Sequence, residues 1–123
     1  FESIFPSLSR QFVQQGAEVL LFLVNDGWYE NPPQPQQHAK QAVYRAIENR
    51  RPVIRCTNTG ISMVIDAGGN ISHALPLNEK GMIQTTIKPQ NISTFYTRHG
   101  DIFAKLNVIS SLLIIVGGMI RKK

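Results

Sequence analysis

The stretch HAKQAVYRAIENRRPVIRCTNTGISMVI, residues 38–65, decides the fold. Its first half places Ala39, Ala42, Val43, Ala46 and Ile47 at helical spacing, so one apolar stripe runs along a helix from His38 to Arg50. Pro52 stops that helix. Directly after it, Val53 to Cys56 and Ile61 to Ile65 are short β-rich runs joined through Thr57-Asn58-Thr59-Gly60. A helix feeding two strands is α/β organisation, and the rest of the chain agrees with it. Upstream, Pro6 to Gln15 is expected to be helical with Gly16 as its stop, and Glu18 to Val24 (EVLLFLV) is a continuous apolar run expected as a strand buried on both faces. The Asn-, Pro- and Gln-rich span from Asn25 to Gln37 is expected to be a loop. Downstream, Asp66-Ala67-Gly68-Gly69 is a turn into a strand at Asn70 to Leu75, and Met82 to Ile87 is expected as a last strand.

The far end has a different character. Ile102 to Ile120 is almost wholly apolar, broken only near its start by Lys105 and Asn107. Nineteen residues in a helix, at about 1.5 Å each, span roughly 28 Å, close to the thickness of a bilayer core. Arg121-Lys122-Lys123 follows, and the tendency of basic residues to stay inside puts this terminus in the cytoplasm and residues 1–101 on the opposite side. The expected organisation is therefore an α/β portion over 1–101 and a terminal transmembrane helix with a basic tail over 102–123.

Charge agrees with a membrane rather than a nucleic-acid partner. The net charge is +5, yet residues 1–101 hold nine Lys/Arg against eight Asp/Glu. The excess flanks the apolar run instead of forming a basic face, which excludes nucleic acid as the expected partner. Cys56 is the single cysteine, so neither a disulfide framework nor a paired-cysteine metal site is possible within the chain, and His38, His73 and His99 are too scattered for a metal cluster. No metal or cofactor is expected.

Four ordered stretches carry a resemblance: Phe1-Glu2-Ser3-Ile4-Phe5-Pro6; Val24-Asn25-Asp26-Gly27-Trp28-Tyr29; Gln37-His38 with Arg45-Ala46-Ile47-Glu48-Asn49-Arg50-Arg51-Pro52; and Arg55-Cys56-Thr57-Asn58-Thr59-Gly60-Ile61-Ser62. At this order and spacing the chain resembles the bacterial apolipoprotein N-acyltransferases, membrane enzymes of the nitrilase (carbon-nitrogen hydrolase) superfamily. The resemblance continues through Tyr96-Thr97-Arg98-His99-Gly100-Asp101 and the terminal run. It implies the C-terminal part of a nitrilase-like α-β-β-α sandwich followed by one transmembrane helix, in the bacterial inner membrane with the sandwich facing the periplasm. It also implies a Glu–Lys–Cys triad, a phospholipid acyl donor and an apolipoprotein acceptor. In such enzymes the nucleophilic Cys stands immediately before an aromatic–Glu pair matching Phe1-Glu2. The thiol therefore belongs to the residue just upstream of Phe1, with the Glu base and the Lys further upstream, and the chain alone is expected to be inactive.

Site residues follow from both readings. Glu2 is the expected assisting catalytic group, orienting the Lys or helping proton transfer, and the Phe1 amide is a natural oxyanion donor. Asn25, Asp26, Trp28 and Tyr29 follow the apolar strand, where α/β folds gather ligand contacts. His38 is either a helix residue or a pocket donor, and Asn58 either lines the pocket floor or makes a plain turn. Arg45 and Glu48, three apart, form a structural pair. Cys56 is expected to be a buried core thiol and not a nucleophile. Two other functions remain open at this point: a membrane-tethered nitrilase-type amidase and a non-enzymatic membrane-anchored module.

Overall fold

The computed structural model describes residues 2–28 and 33–121. A 3-10 turn, η1 (Glu2–Ile4), leads into α1 (Pro6–Gln14), then β1 (Leu20–Val24), α2 (Gln34–Asn49), β2 (Val53–Thr57), β3 (Ser62–Ile65), β4 (Ile71–Leu75), α3 (Phe95–His99) and α4 (Ile102–Arg121). The strands form one mixed sheet in the order β1-β2-β3-β4. β1 and β2 are parallel, Leu20 opposite Val53 and Val24 opposite Thr57, with α2 as the crossover. β2, β3 and β4 continue as an antiparallel meander.

The three alanines of the helical stripe face inward as their spacing predicts, while Val43 is partly buried against the core and Ile47 is 42% exposed. Ala39, Ala42 and Ala46 are buried against Leu20, Val53, Met63 and Ile65, forming the core with Val13 of α1. The helix ends where Arg50 turns left-handed at φ 50°, one residue before Arg51-Pro52. Arg45 Nη2 donates to Glu48 Oε1 at 2.9 Å, the expected pair, although burial pushes the Glu48 carboxyl up against the opposing pull of Arg45.

Four expectations are corrected. α2 begins at Gln34, not His38, because a helix can start on prolines: Pro35 sits in its first turn, where a missing N–H costs nothing. β1 is buried on one face only; Leu20 is in the core while Leu21 and Leu23 are 59% and 73% exposed. Met82 to Ile87 forms no strand and runs as irregular chain. Cys56 is exposed, not buried in the core. The second and fourth share a cause. Both helices cover the same side of the sheet, and Leu21, Leu23, Ile54 and Cys56 point to the other. A sheet with one bare apolar face is half of a layered architecture.

Toward the C-terminus, three arginine and threonine contacts root α3 on the helical layer. Arg10 Nε donates to the Thr97 carbonyl at 2.9 Å, Thr94 Oγ1 to the Glu48 carbonyl at 2.6 Å, and Arg51 Nη1 to the Ile92 carbonyl at 2.6 Å. Two residues after α3, α4 leaves the body. Its span Ile102–Ile120 is long and apolar enough to cross a membrane and none of it is buried.

Candidate functional site

In a parallel pair both strands end at the same edge, so the loops after β1 and β2 meet. Asn25 and Asn58 lace them together. Asn58 Nδ2 donates to Asn25 Oδ1 at 2.7 Å, the Asp26 N–H donates to Asn58 Oδ1 at 3.0 Å, and Asn25 Oδ1 also accepts from the Gly27 N–H at 3.0 Å. Both asparagines are exposed at the rim. Turn chemistry and a position at the strand ends therefore coincide in the same two residues.

Beneath this lacing lies a buried polar network. Asp26 turns inward, and its two carboxylate oxygens take different partners: Arg55 Nη2 at 2.6 Å on Oδ2 and His38 Nδ1 at 2.7 Å on Oδ1. The other ring nitrogen, His38 Nε2, lies 3.2 Å from Ser3 Oγ. A carboxylate only accepts, so Nδ1 carries a proton; with one proton on the ring, Nε2 accepts from the Ser3 hydroxyl. The 3.4 Å approach of Arg55 Nη2 to His38 Nδ1 is then a meeting of two donors on one carboxylate. Asp26, His38, Arg55 and Ser3 are all at least nineteen-twentieths buried. Such a charge needs this degree of pairing, since an unpaired buried carboxylate is very costly. Gly60 completes the fit, because a Cβ there would overlap the Asp26 carboxylate, reaching 2.7 Å from its Cγ.

The network joins four segments distant in sequence: η1, the end of β1, the start of α2 and the middle of β2. It brings the turn that carries Glu2 beside the rim formed by Asn25 and Asn58. Glu2 itself is exposed, and its carboxyl is held below the usual carboxylate range, first by a hydrogen bond from its own backbone N–H. Of the residues expected from sequence, Asn25, Asp26, His38, Asn58 and the Glu2 turn are thus gathered at one edge. Trp28 is 76% exposed to solvent beside it. Phe1 and Tyr29 lie outside the described residues. Sequence reading missed Ser3, Arg55 and Gly60. The available signal was parity: Arg55 is in register with Phe22 and, two residues after Val53, shares its core face, where a lone charge calls for a buried partner.

A cavity of about 550 Å³ opens on the bare face of the sheet, lined among others by Ile54, Cys56, Asn58, Met82 and Ile83. The irregular 79–87 segment forms its far wall and Asn58 links it to the rim. Among the described residues no group of three His, Cys, Asp or Glu side chains is placed to hold a metal.

Comparison with known proteins places this geometry. The carbon-nitrogen hydrolase family matches residues 1–96. Among similar proteins, an apolipoprotein N-acyltransferase of Geobacter metallireducens is 40% identical over 104 residues, covering 85% of this chain and 20% of that protein. One from Thermotoga maritima is 42% identical over 113 residues, covering 92% and 22%. One from Shewanella oneidensis is 37% identical over 123 residues, covering 100% and 23%. The chain thus spans about a fifth of the length of these relatives. Among solved structures, Saccharomyces cerevisiae Nit3, a member of branch 10 of the nitrilase superfamily, superposes with a TM-score of 0.51 at 22% identity, covering 63% of this chain and 31% of that one. A carbon-nitrogen hydrolase from Helicobacter pylori G27 gives 0.51 at 20% identity, covering 64% and 35%. The helix-covered mixed sheet, the laced strand ends and the family match over residues 1–96 agree: this chain belongs to the carbon-nitrogen hydrolase family, with a nitrilase-like α/β fold.

Proposed function

We propose that the chain is the C-terminal part of an apolipoprotein N-acyltransferase, with residues 1–101 belonging to the nitrilase-like domain and residues 102–123 forming a membrane anchor. One observation carries this reading beyond family membership. The family match stops at residue 96, but the similarity to the Shewanella oneidensis enzyme runs through all 123 residues, including α4. An apolar helix outside the packed body suits an enzyme whose substrates are lipids, because it holds the site near the headgroups.

The reaction proceeds in two half-steps. A thiolate on the residue just upstream of Phe1 attacks an ester carbonyl of a phospholipid. The bond between the acyl carbonyl carbon and the glycerol oxygen breaks, the departing lysophospholipid oxygen takes a proton, and a thioester forms. The α-amine of the diacylglyceryl-Cys at a lipoprotein's N-terminus then attacks the thioester, loses a proton, and the thiolate leaves. Glu2, two residues after the nucleophile, supports the Lys or the proton transfer. Asn25 and Asn58 form the rim beside it, and the buried Asp26 and His38 support that rim. The Phe1 amide donates to the tetrahedral oxyanion, and Trp28 and Tyr29 meet acyl chains or the interface.

The direct experiment incubates the full-length protein with a phospholipid bearing a labelled acyl chain and an apolipoprotein. Label is expected on the acceptor's N-terminal amine. Hydrolysis of a soluble amide without acyl transfer would establish an amidase instead, and neither activity would leave a non-catalytic module. Orientation is tested separately. A reporter fused after Lys123 in the full-length protein should be active only in the cytoplasm, and periplasmic activity would reverse the assigned topology.

A further inference from the structure

The Asp26–His38–Ser3 chain has the connectivity of a Ser–His–Asp relay, in which an imidazole held by a carboxylate takes the serine proton. Burial rules out that use here, since Ser3 is 2% and His38 5% exposed and no substrate can reach the hydroxyl. A relay without access acts on position. η1 shows what is being positioned. Within this turn Glu2 and Ile4 are exposed, and Ser3 is its one buried residue. A serine side chain offers little apolar area, so packing alone fastens the turn weakly. Its buried hydroxyl must find a partner, and that partner is His38 Nε2. His38 is in turn immobilised by Asp26, and Asp26 by Arg55.

We propose that Ser3 and His38 are positioning residues: the buried Asp26–His38–Ser3 chain fixes the turn bearing Glu2 against α2, and so sets the Glu2 carboxylate relative to the strand-end rim. The carboxylate is the fixed end because Arg55 and His38 occupy both its oxygens. The serine hydroxyl is the movable end because Ser3, the buried residue of η1, joins that turn to the network through its side chain. In kinetic terms the chain contributes to the chemical step and not to lipid binding, since none of its members is exposed to a substrate. The kinetic part of the inference rests on the acyltransferase reading; the structural part does not.

The test uses the full-length protein and the variants Ser3→Ala, His38→Asn and their combination. His38→Asn keeps a donor near the Nδ1 position for Asp26 but removes the Nε2 acceptor, so both single changes cut the same bond. Each should slow thioester formation ~10-fold at unchanged KM for phospholipid, and the double variant should be no slower than either single one, as for two changes that remove one shared interaction. Alongside, amide hydrogen exchange is read at Phe5, whose N–H donates to the Glu2 carbonyl and closes η1 at 3.1 Å. Exchange there should quicken ~10-fold in Ser3→Ala while amides of α2 and β2 keep wild-type rates, the signature of local and not global opening. Unchanged exchange at Phe5 overturns the proposal whether or not the protein is an acyltransferase. So does a double variant whose loss equals the product of the single losses, or a wild-type rate in either single variant. If the wild-type protein forms no thioester, the acyltransferase reading fails, and the exchange result still decides the positioning role.

Discussion

Replacing Glu2 by Gln in the full-length protein is expected to slow acyl-enzyme formation by roughly 10²-fold or more, the usual cost of losing an acid–base or electrostatic partner in a transition state. The substitution keeps size and most hydrogen bonding and removes only the charge. That charge is present at neutral pH, because an exposed carboxyl is ionised there. Glu2 is exposed and supports no packing in the core, so folding should be little affected. The measurement is a single-turnover rate of thioester formation, normalised to the folded protein inserted in membranes. A wild-type rate at wild-type abundance would remove Glu2 from the reaction. The loss differs in kind from that expected for Ser3→Ala, which displaces the carboxylate without discharging it and should cost less.

Arg55→Met tests the other end of the network and should act on stability. Arg55 and Asp26 have fully buried side chains, 2.6 Å apart. Removing one partner leaves a buried carboxylate with His38 as its remaining side-chain partner among the described residues, and breaking such a pair costs about 3–5 kcal/mol. For a domain of ordinary size that lowers the thermal midpoint by roughly 10 °C. Cys56→Ser provides the contrast. The thiol lies on the opposite face of the sheet from that network, and exchanging its sulfur for oxygen should cost about 1 kcal/mol or less, well below the loss of the ion pair. An Arg55→Met protein as stable as the wild type would show that the network is not holding the strand ends together.

What the sequence revealed and what it hid divide along contact distance. The α2 stripe at Ala39, Ala42 and Ala46 needs only helical spacing, and the β3–β4 hairpin only its Asp66-to-Gly69 turn, so both were legible. The same reading placed the start of α2 late, since Gln34 to Gln37 adds nothing to the apolar stripe although Pro35 permits the helix to begin. The run EVLLFLV suggested a strand covered twice, but composition does not say which layers a chain supplies. Here both helices lie on one side. Met82 to Ile87 has strand-like composition yet crosses the bare face as cavity wall without pairing. Cys56 was misjudged from its apolar neighbours: with Arg55 turned to the core, strand alternation sends the next residue outward.

The candidate site was legible as a set of residues but not as an arrangement. Asn25, Asp26, His38 and Asn58 stood out by motif. Whether His38 faced a pocket or a core depended on Asp26, twelve residues away, on Arg55, seventeen away, and on Ser3, thirty-five away. No local pattern encodes that convergence. It arises because parallel strands bring their C-terminal loops to one edge and α2 begins beneath them. Gly60 shows the same logic, since its need for a missing Cβ comes from a carboxylate thirty-four positions upstream.

On the proposed acyltransferase reading the acylated thiol stands immediately before Phe1, and Cys56 takes no acyl group. The decisive measurement is peptide-level mass analysis of the full-length protein trapped after one exposure to phospholipid, without acceptor. A mass gain of one acyl chain is expected on the peptide containing the residue immediately before Phe1, labile to hydroxylamine as a thioester, with the Cys56 peptide unmodified. An acyl group on Cys56, or a trapped intermediate on neither position, would contradict it.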